Sequence, residues 1–106
     1  MRAASGQQYG RRAIEVGPVG SNVAVNVQRV REARRLSTRQ LGDRLAKAGR
    51  PIPASGITRI EQGARRVDVD DLAVLATTLN VAMAQLLLPP SDLAIEVRIG
   101  SGGEGR

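Results

Sequence analysis

Between residues 22 and 88 apolar residues recur at helical spacing in short runs. Each run is bounded by a helix start or stop signal, so this segment can bury a core only as a set of short packed helices. Val23, Val27, Val30 and Ala33 form the stripe of a first helix, read as 22–35, with Arg29, Arg31, Arg34 and Arg35 off it. Ser37 opens a second helix and, with Gln40, makes a Ser-x-x-Gln capping box. Leu41, Leu45 and Ala48 carry the buried face of that helix, and Gly49 stops it. A third helix is read over 53–62, opened by Pro53, anchored by Ile57 and Ile60 and ended by Gly63. Asp68 caps a fourth helix, with Asp70 and Asp71 in its first turn and Leu72, Leu75, Ala76 and Leu79 inward. Asn80-Val81 turns the chain into a fifth helix over 82–88, closed by Pro89-Pro90. The expected fold is all-α: one compact five-helix domain over 22–88. Residues 1–21, rich in Gly, Ser, Gln and Arg, read as a mostly disordered N-terminal arm. Residues 89–106 form a C-terminal tail ending in the flexible run 100–106.

Composition narrows the chemistry. The 106 residues contain no His and no Cys. The usual metal ligands, the common general base and the thiol nucleophile are therefore missing, so neither an enzyme nor a cofactor is expected. The first residues carry no apolar run of the signal-peptide kind. No stretch approaches the ~18 apolar residues of a membrane span. A cytoplasmic protein with no membrane association is expected. Tyr9 is the one aromatic residue. A binding mode built on aromatic stacking with unpaired bases is accordingly not expected.

The net charge of +6 is unevenly distributed. Residues 29–66 hold eleven basic and three acidic side chains, a net +8, whereas residues 67–106 carry a net −4. A central segment that holds more than the whole net charge is the electrostatic footprint of a polyanion binder. Its bland alternative is a solvated basic surface.

Four stretches carry a family resemblance. They are Val27-x-x-Val30-Arg31, Leu36-Ser37-Thr38-Arg39-Gln40-Leu41, Ile57-Thr58-Arg59-Ile60-Glu61-Gln62-Gly63 and Asp71-Leu72-x-x-Leu75-Ala76-x-x-Leu79-Asn80-Val81. In this order and at this spacing the chain resembles the lambda-repressor-like (Xre-type) helix-turn-helix family over residues 22–88. The resemblance implies a sequence-specific binder of double-stranded DNA, a transcriptional regulator of repressor type from a bacterium or phage. It departs from the family in two places. Thr38 stands where many members have Gln, which implies a shorter or water-mediated contact there. From Leu45 to Ile57 the connection is also longer than the usual turn. In that extended turn the chain is similar to actinobacterial members with an Ala-Gly-Arg-Pro-Ile-Pro stretch.

A DNA major groove admits one helix, held at its angle by a second. With Ile57 and Ile60 buried, Ala54, Ser55, Thr58 and Arg59 are the candidate base-reading residues, and Gln62 lies at the helix end. Arg59 leads them, because Arg can pair bidentately with guanine. Its alternative is an ion pair with Glu61 or another acid. Ser55 and Thr58 can reach a base edge or a phosphate, and Ala54 can meet a thymine methyl. Arg35, Thr38, Arg39, Arg65 and Arg66 are the candidate phosphate contacts, the alternative for the last two being plain solvation. Glu61 reads as a structural partner for Arg31 or Arg35.

One such domain reads only a few base pairs, so a homodimer on DNA is expected. Leu86, Leu87 and Leu88 in succession cannot all face one core. The alternation of Leu93, Ile95, Val97 and Ile99 has the period of a half-buried strand over 93–99 that needs a partner. The competing function is an antitoxin or adaptor, a protein-interaction module on the same fold.

Overall fold

A computed structural model describes residues 15–95. Five α-helices follow one another: α1 Pro18–Ala33, α2 Thr38–Lys47, α3 Ala54–Glu61, α4 Val69–Leu79 and α5 Met83–Leu87. A single 3₁₀ turn at Pro90–Asp92 closes the described chain. Among the described residues there is no strand, so the fold is all-α. No helix there is long and apolar enough to cross a membrane.

One core joins all five helices. Val27 and Val30 of α1, Leu41 and Leu45 of α2, Ile57 and Ile60 of α3, Leu75 and Leu79 of α4 and Leu86 of α5 are all buried in it. Ile52, in the link between α2 and α3, is buried with them. The extended connection is therefore a packed element, pinned at its centre, and not a loose loop.

Helix α1 begins at Pro18, earlier than the boundary at 22 expected from the sequence. Proline at the first helical position has its φ already set and lacks only an N–H that would be unsatisfied there anyway. The turn-like composition of 17–21 hides this start. Residues 18–21 are thus helical, and 1–14 of the expected arm lie outside the described residues. Ala48 is a second correction. It sits at the C-cap of α2, where the helical face no longer points inward, and is exposed.

The first four helices end in one way. Arg35, Gly49, Gly63 and Asn80 adopt positive φ, at 59°, 89°, 72° and 58°. At each, two amides reach back to the last helical turn, as with Arg35 N to Glu32 O (2.9 Å) and Leu36 N to Arg31 O (3.1 Å). This is the Schellman termination. Glycine takes it without steric cost and asparagine with little. Arginine at 35 has no such licence. Arg35→Gly is expected to raise stability by about 0.5–1 kcal/mol, the αL strain relieved less the entropy glycine adds to the unfolded chain. Thermal melting followed by circular dichroism measures this. A lowered melting temperature would mean that the Arg35 side chain holds the fold more than its backbone strains it.

Polar residues of α1 tie down the C-terminal part of the domain. Asn26 is fully buried, and its Nδ2 donates to the carbonyls of Gln85 (3.3 Å), Leu86 (3.1 Å) and Leu88 (2.7 Å). One turn earlier Asn22 Nδ2 donates to Leu87 O (3.0 Å), and one turn later Arg29 Nη1 donates to Pro90 O (3.1 Å). The last carbonyls of α5 lack intrahelical donors and would otherwise be orphaned against α1. This packing buries Leu86 and leaves Met83 and Leu87 exposed, so the three leucines divide between core and surface. Beyond the 3₁₀ turn, 93–95 form no strand. Leu93 and Ile95 pack half-buried against the core, and Ala94 N donates to Gln85 Oε1 (2.9 Å). The rest of the expected strand, 96–99, lies outside the described residues.

Candidate nucleic-acid interface

Helix α3 has two unlike sides. Ile57 and Ile60 face the core and are essentially inaccessible. Ser55, Thr58, Arg59 and Gln62 are exposed and Ala54 is half-buried. At helical spacing these five form one outward stripe. Arg59 makes no ion pair among the described residues. The alternative of an Arg59–Glu61 pair is not what forms, because Glu61 is taken from the other side.

Arg31 of α1 grips Glu61 with both arms of its guanidinium: Nε to Oε2 at 2.7 Å and Nη2 to Oε1 at 3.0 Å. Its remaining Nη1 donates to Leu36 O at 2.8 Å. The two side chains are 12% and 8% exposed, so this pair is fenced from water. The hydrogen bond that Arg31 donates to the Glu61 carboxylate, against the cost of burial, raises the Arg31 pKa above its ordinary value. Glu61 thus clamps the end of α3 to α1, as a structural partner of Arg31 rather than Arg35.

Helix α2 starts at the same face. The Ser37 hydroxyl accepts from Gln40 N (3.0 Å) and Gln40 Oε1 accepts from Ser37 N (2.8 Å), completing the capping box. The amides of Thr38 and Arg39 belong to the first turn, where N–H groups have no intrahelical acceptor and favour an anion. Arg39 is exposed and Thr38 half-buried. Arg39 and Ala54 share the rim of a shallow depression floored by Gly42 and Ile52. The start of α2 and the start of α3 are therefore neighbours.

The flanking arginines divide. Arg35 and Arg66 are exposed. Arg65 instead turns inward, with Nη2 3.6 Å from Asp71 Oδ2. Asp71, expected from the sequence only in the first turn of α4, does more than occupy that turn. It is 3% exposed, and its Oδ1 accepts from Arg50 Nε at 3.0 Å. It also completes a capping box with Asp68, whose Oδ1 accepts from Asp71 N at 2.7 Å. That backbone donor, with Arg50 nearby, holds the Asp68 carboxyl below its usual range. The Asp-x-x-Asp spacing at 68–71 signals the cap. The convergence of Arg50 and Arg65 on it has no local signal, because both come from other parts of the chain. Among the described residues no group of acidic side chains is arranged to hold a metal ion.

A short exposed helix, braced by a second one across a shared core and flanked by basic side chains, defines a helix-turn-helix unit. That is the class of fold which lays its second helix in the DNA major groove. The family model of the helix-turn-helix domain matches residues 23–87, more than half of the chain, and the chain belongs to that family. No curated protein and no solved structure matches the chain.

Proposed function

We propose that this chain is a sequence-specific double-stranded DNA-binding regulator of transcription. We take it to be of repressor type and lambda-repressor-like (Xre-type) character, acting in the cytoplasm of a bacterium or phage host. The observation that carries this reading is the division of α3. Its inner face is locked by Ile57, Ile60 and Glu61, while Ala54, Ser55, Thr58, Arg59 and Gln62 stand outward. Arg59 reads a base, with Ser55, Thr58 and Ala54 beside it. Arg35, Thr38, Arg39 and Arg66 meet phosphates on either flank, and Arg65 supports them from behind while paired with Asp71.

DNA selection from a random pool tests the specificity and the assembly together. Two inverted half-sites about one helical turn apart would mark a homodimer on DNA, with Met83 and Leu87 of α5 as its exposed apolar contacts. On the selected duplex, Arg59→Ala is expected to cost about 1–3 kcal/mol and relax one base position. Arg66→Ala is expected to weaken selected and random duplexes alike. Uniform loss in both variants would reduce Arg59 to a phosphate contact.

A second reading, an antitoxin or adaptor module, draws on one observation. Val19, Val69 and Leu87 stand exposed around an apolar groove lined by Val16, Val23 and Leu72. A protein partner that co-purifies tightly with a chain lacking DNA affinity would favour it.

A further inference from the structure

We propose that Asp71 is a second positioning residue of the recognition helix, beside Glu61: it ties the chain just before α3 and the chain just after it to the start of α4. The inference rests on the reading of α3 as the groove-entering helix.

The geometry is specific. Arg50 lies in the link that leads into α3, and Arg65 in the link that leads out. Both guanidinia converge on one carboxylate, Arg50 Nε at 3.0 Å from Oδ1 and Arg65 Nη2 at 3.6 Å from Oδ2. Arg50 Nη2 spans to Asp68 as well, at 3.1 Å and 3.2 Å from its two oxygens. The brace therefore bridges the α2–α3 link, the α3–α4 link and the first turn of α4.

Helix α3 itself makes room for it. A Cβ on Gly56 would lie 3.0 Å from Arg65 Nη1 and 3.1 Å from Ile52 Cγ2. The bare backbone at 56 is the lane along which Arg65 reaches Asp71. A helix cap alone does not require burial, since a capping carboxylate works at the surface. Burying one costs desolvation unless cations meet it, and two do. The need for such a brace follows from the length of α3. It runs only from Ala54 to Glu61 and has just two fully buried side chains, Ile57 and Ile60. The two apolar anchors and the Arg31–Glu61 clamp hold its middle and its C-terminal end but leave its N-terminal end to the incoming link, and base reading needs side chains held within about 0.5 Å.

The test uses the full chain, with the wild-type protein measured first on its selected duplex and on a random one. Asp71→Asn keeps the shape and an acceptor for the Asp68 amide but no longer attracts either guanidinium. Well below the melting temperature, its preference for the selected duplex is expected to fall about tenfold, a change of ~1.4 kcal/mol. Affinity for the random duplex is expected to hold or rise, because a negative charge has gone. Arg50→Gln is expected to lose preference similarly and Arg50→Lys to regain part of it. An Asp71→Asn protein that melts lower yet keeps its preference would overturn the proposal, leaving a merely structural role. So would an Arg50→Gln protein that loses affinity for both duplexes by the same factor, since Arg50 would then be a phosphate contact. Amide resonances of the DNA-free proteins provide a readout independent of DNA. In Asp71→Asn and in Gly56→Ala, those of Ser55–Gln62 are expected to move together, and unmoved resonances would overturn the proposal. A wild type that binds neither duplex would defeat the proposed function, while the resonances would still decide the brace.

Discussion

Glu61→Ala is expected to destabilise the domain by about 3–5 kcal/mol, a large share of the ~5–15 kcal/mol that holds a small domain folded. The cost comes from what is left behind. Arg31 is 12% exposed at the side chain and, once the Glu61 carboxylate is gone, keeps its bond to the Leu36 carbonyl and a looser 3.9 Å approach to the exposed Glu32. The guanidinium stays charged in any accessible pH range, so it must either remain buried with only the exposed Glu32 carboxylate nearby or pull out and open the contact between α1 and α3. Urea denaturation followed by far-ultraviolet circular dichroism measures the loss. The paired replacement Arg31→Met with Glu61→Leu is expected to recover most of it, because burying two apolar chains carries no desolvation penalty. If the single variant lost less than about 1 kcal/mol, as exposed pairs do, the pair would be a surface bridge and the clamp on α3 would be absent.

Ile57→Ala is expected to cost about 2–5 kcal/mol through the cavity it opens. Ile57 is completely inaccessible and sits where α2, α3 and the buried Ile52 of their link meet. Helix α3 has only Ile60 to share the load, so its packing cannot redistribute far. Thr58→Ala, one residue on and exposed, serves as the control and is expected to stay within about 0.5 kcal/mol. Equal melting temperatures for the two variants would mean that α3 presents a different face to the core.

These effects bear on what could be read without coordinates. The interiors of α2 and α4 were legible because their signals are local. Ser37 with Gln40, and Asp68 at its cap, lie within one turn of what they determine. The inward Ile57 and Ile60, the stops at Gly49 and Gly63 and the structural role of Glu61 follow from period and charge alone. The start of α1 was not legible, since Gly17 and Pro18 are as common in turns as at helix openings. Asn26 sits within the apolar stripe of α1 and carries no sequence sign of its role. Its donors serve carbonyls of α5 some sixty positions away. Its Oδ1 is buried without a hydrogen-bond partner. Arg65 and Asp71 show the same limit at the candidate site. From sequence a basic residue beside α3 reads as a candidate phosphate contact, and only tertiary placement turns it toward a buried carboxylate. The outward residues of α3 were legible as a group because burial of the two isoleucines leaves no other stripe.

In the proposed function α3 reads DNA while arginines at its flanks neutralise phosphates. Fluorescence anisotropy of a selected duplex, titrated at several salt concentrations beside a scrambled duplex, tests it most directly. With ~6 phosphates neutralised, the logarithm of the association constant should fall against the logarithm of salt concentration with a slope near −5, roughly a thousandfold loss for a fourfold rise in salt. The selected duplex should bind more tightly than the scrambled one at every salt concentration. A slope near zero, or no binding to either duplex at low salt, would rule out DNA binding through α3 and its flanking arginines.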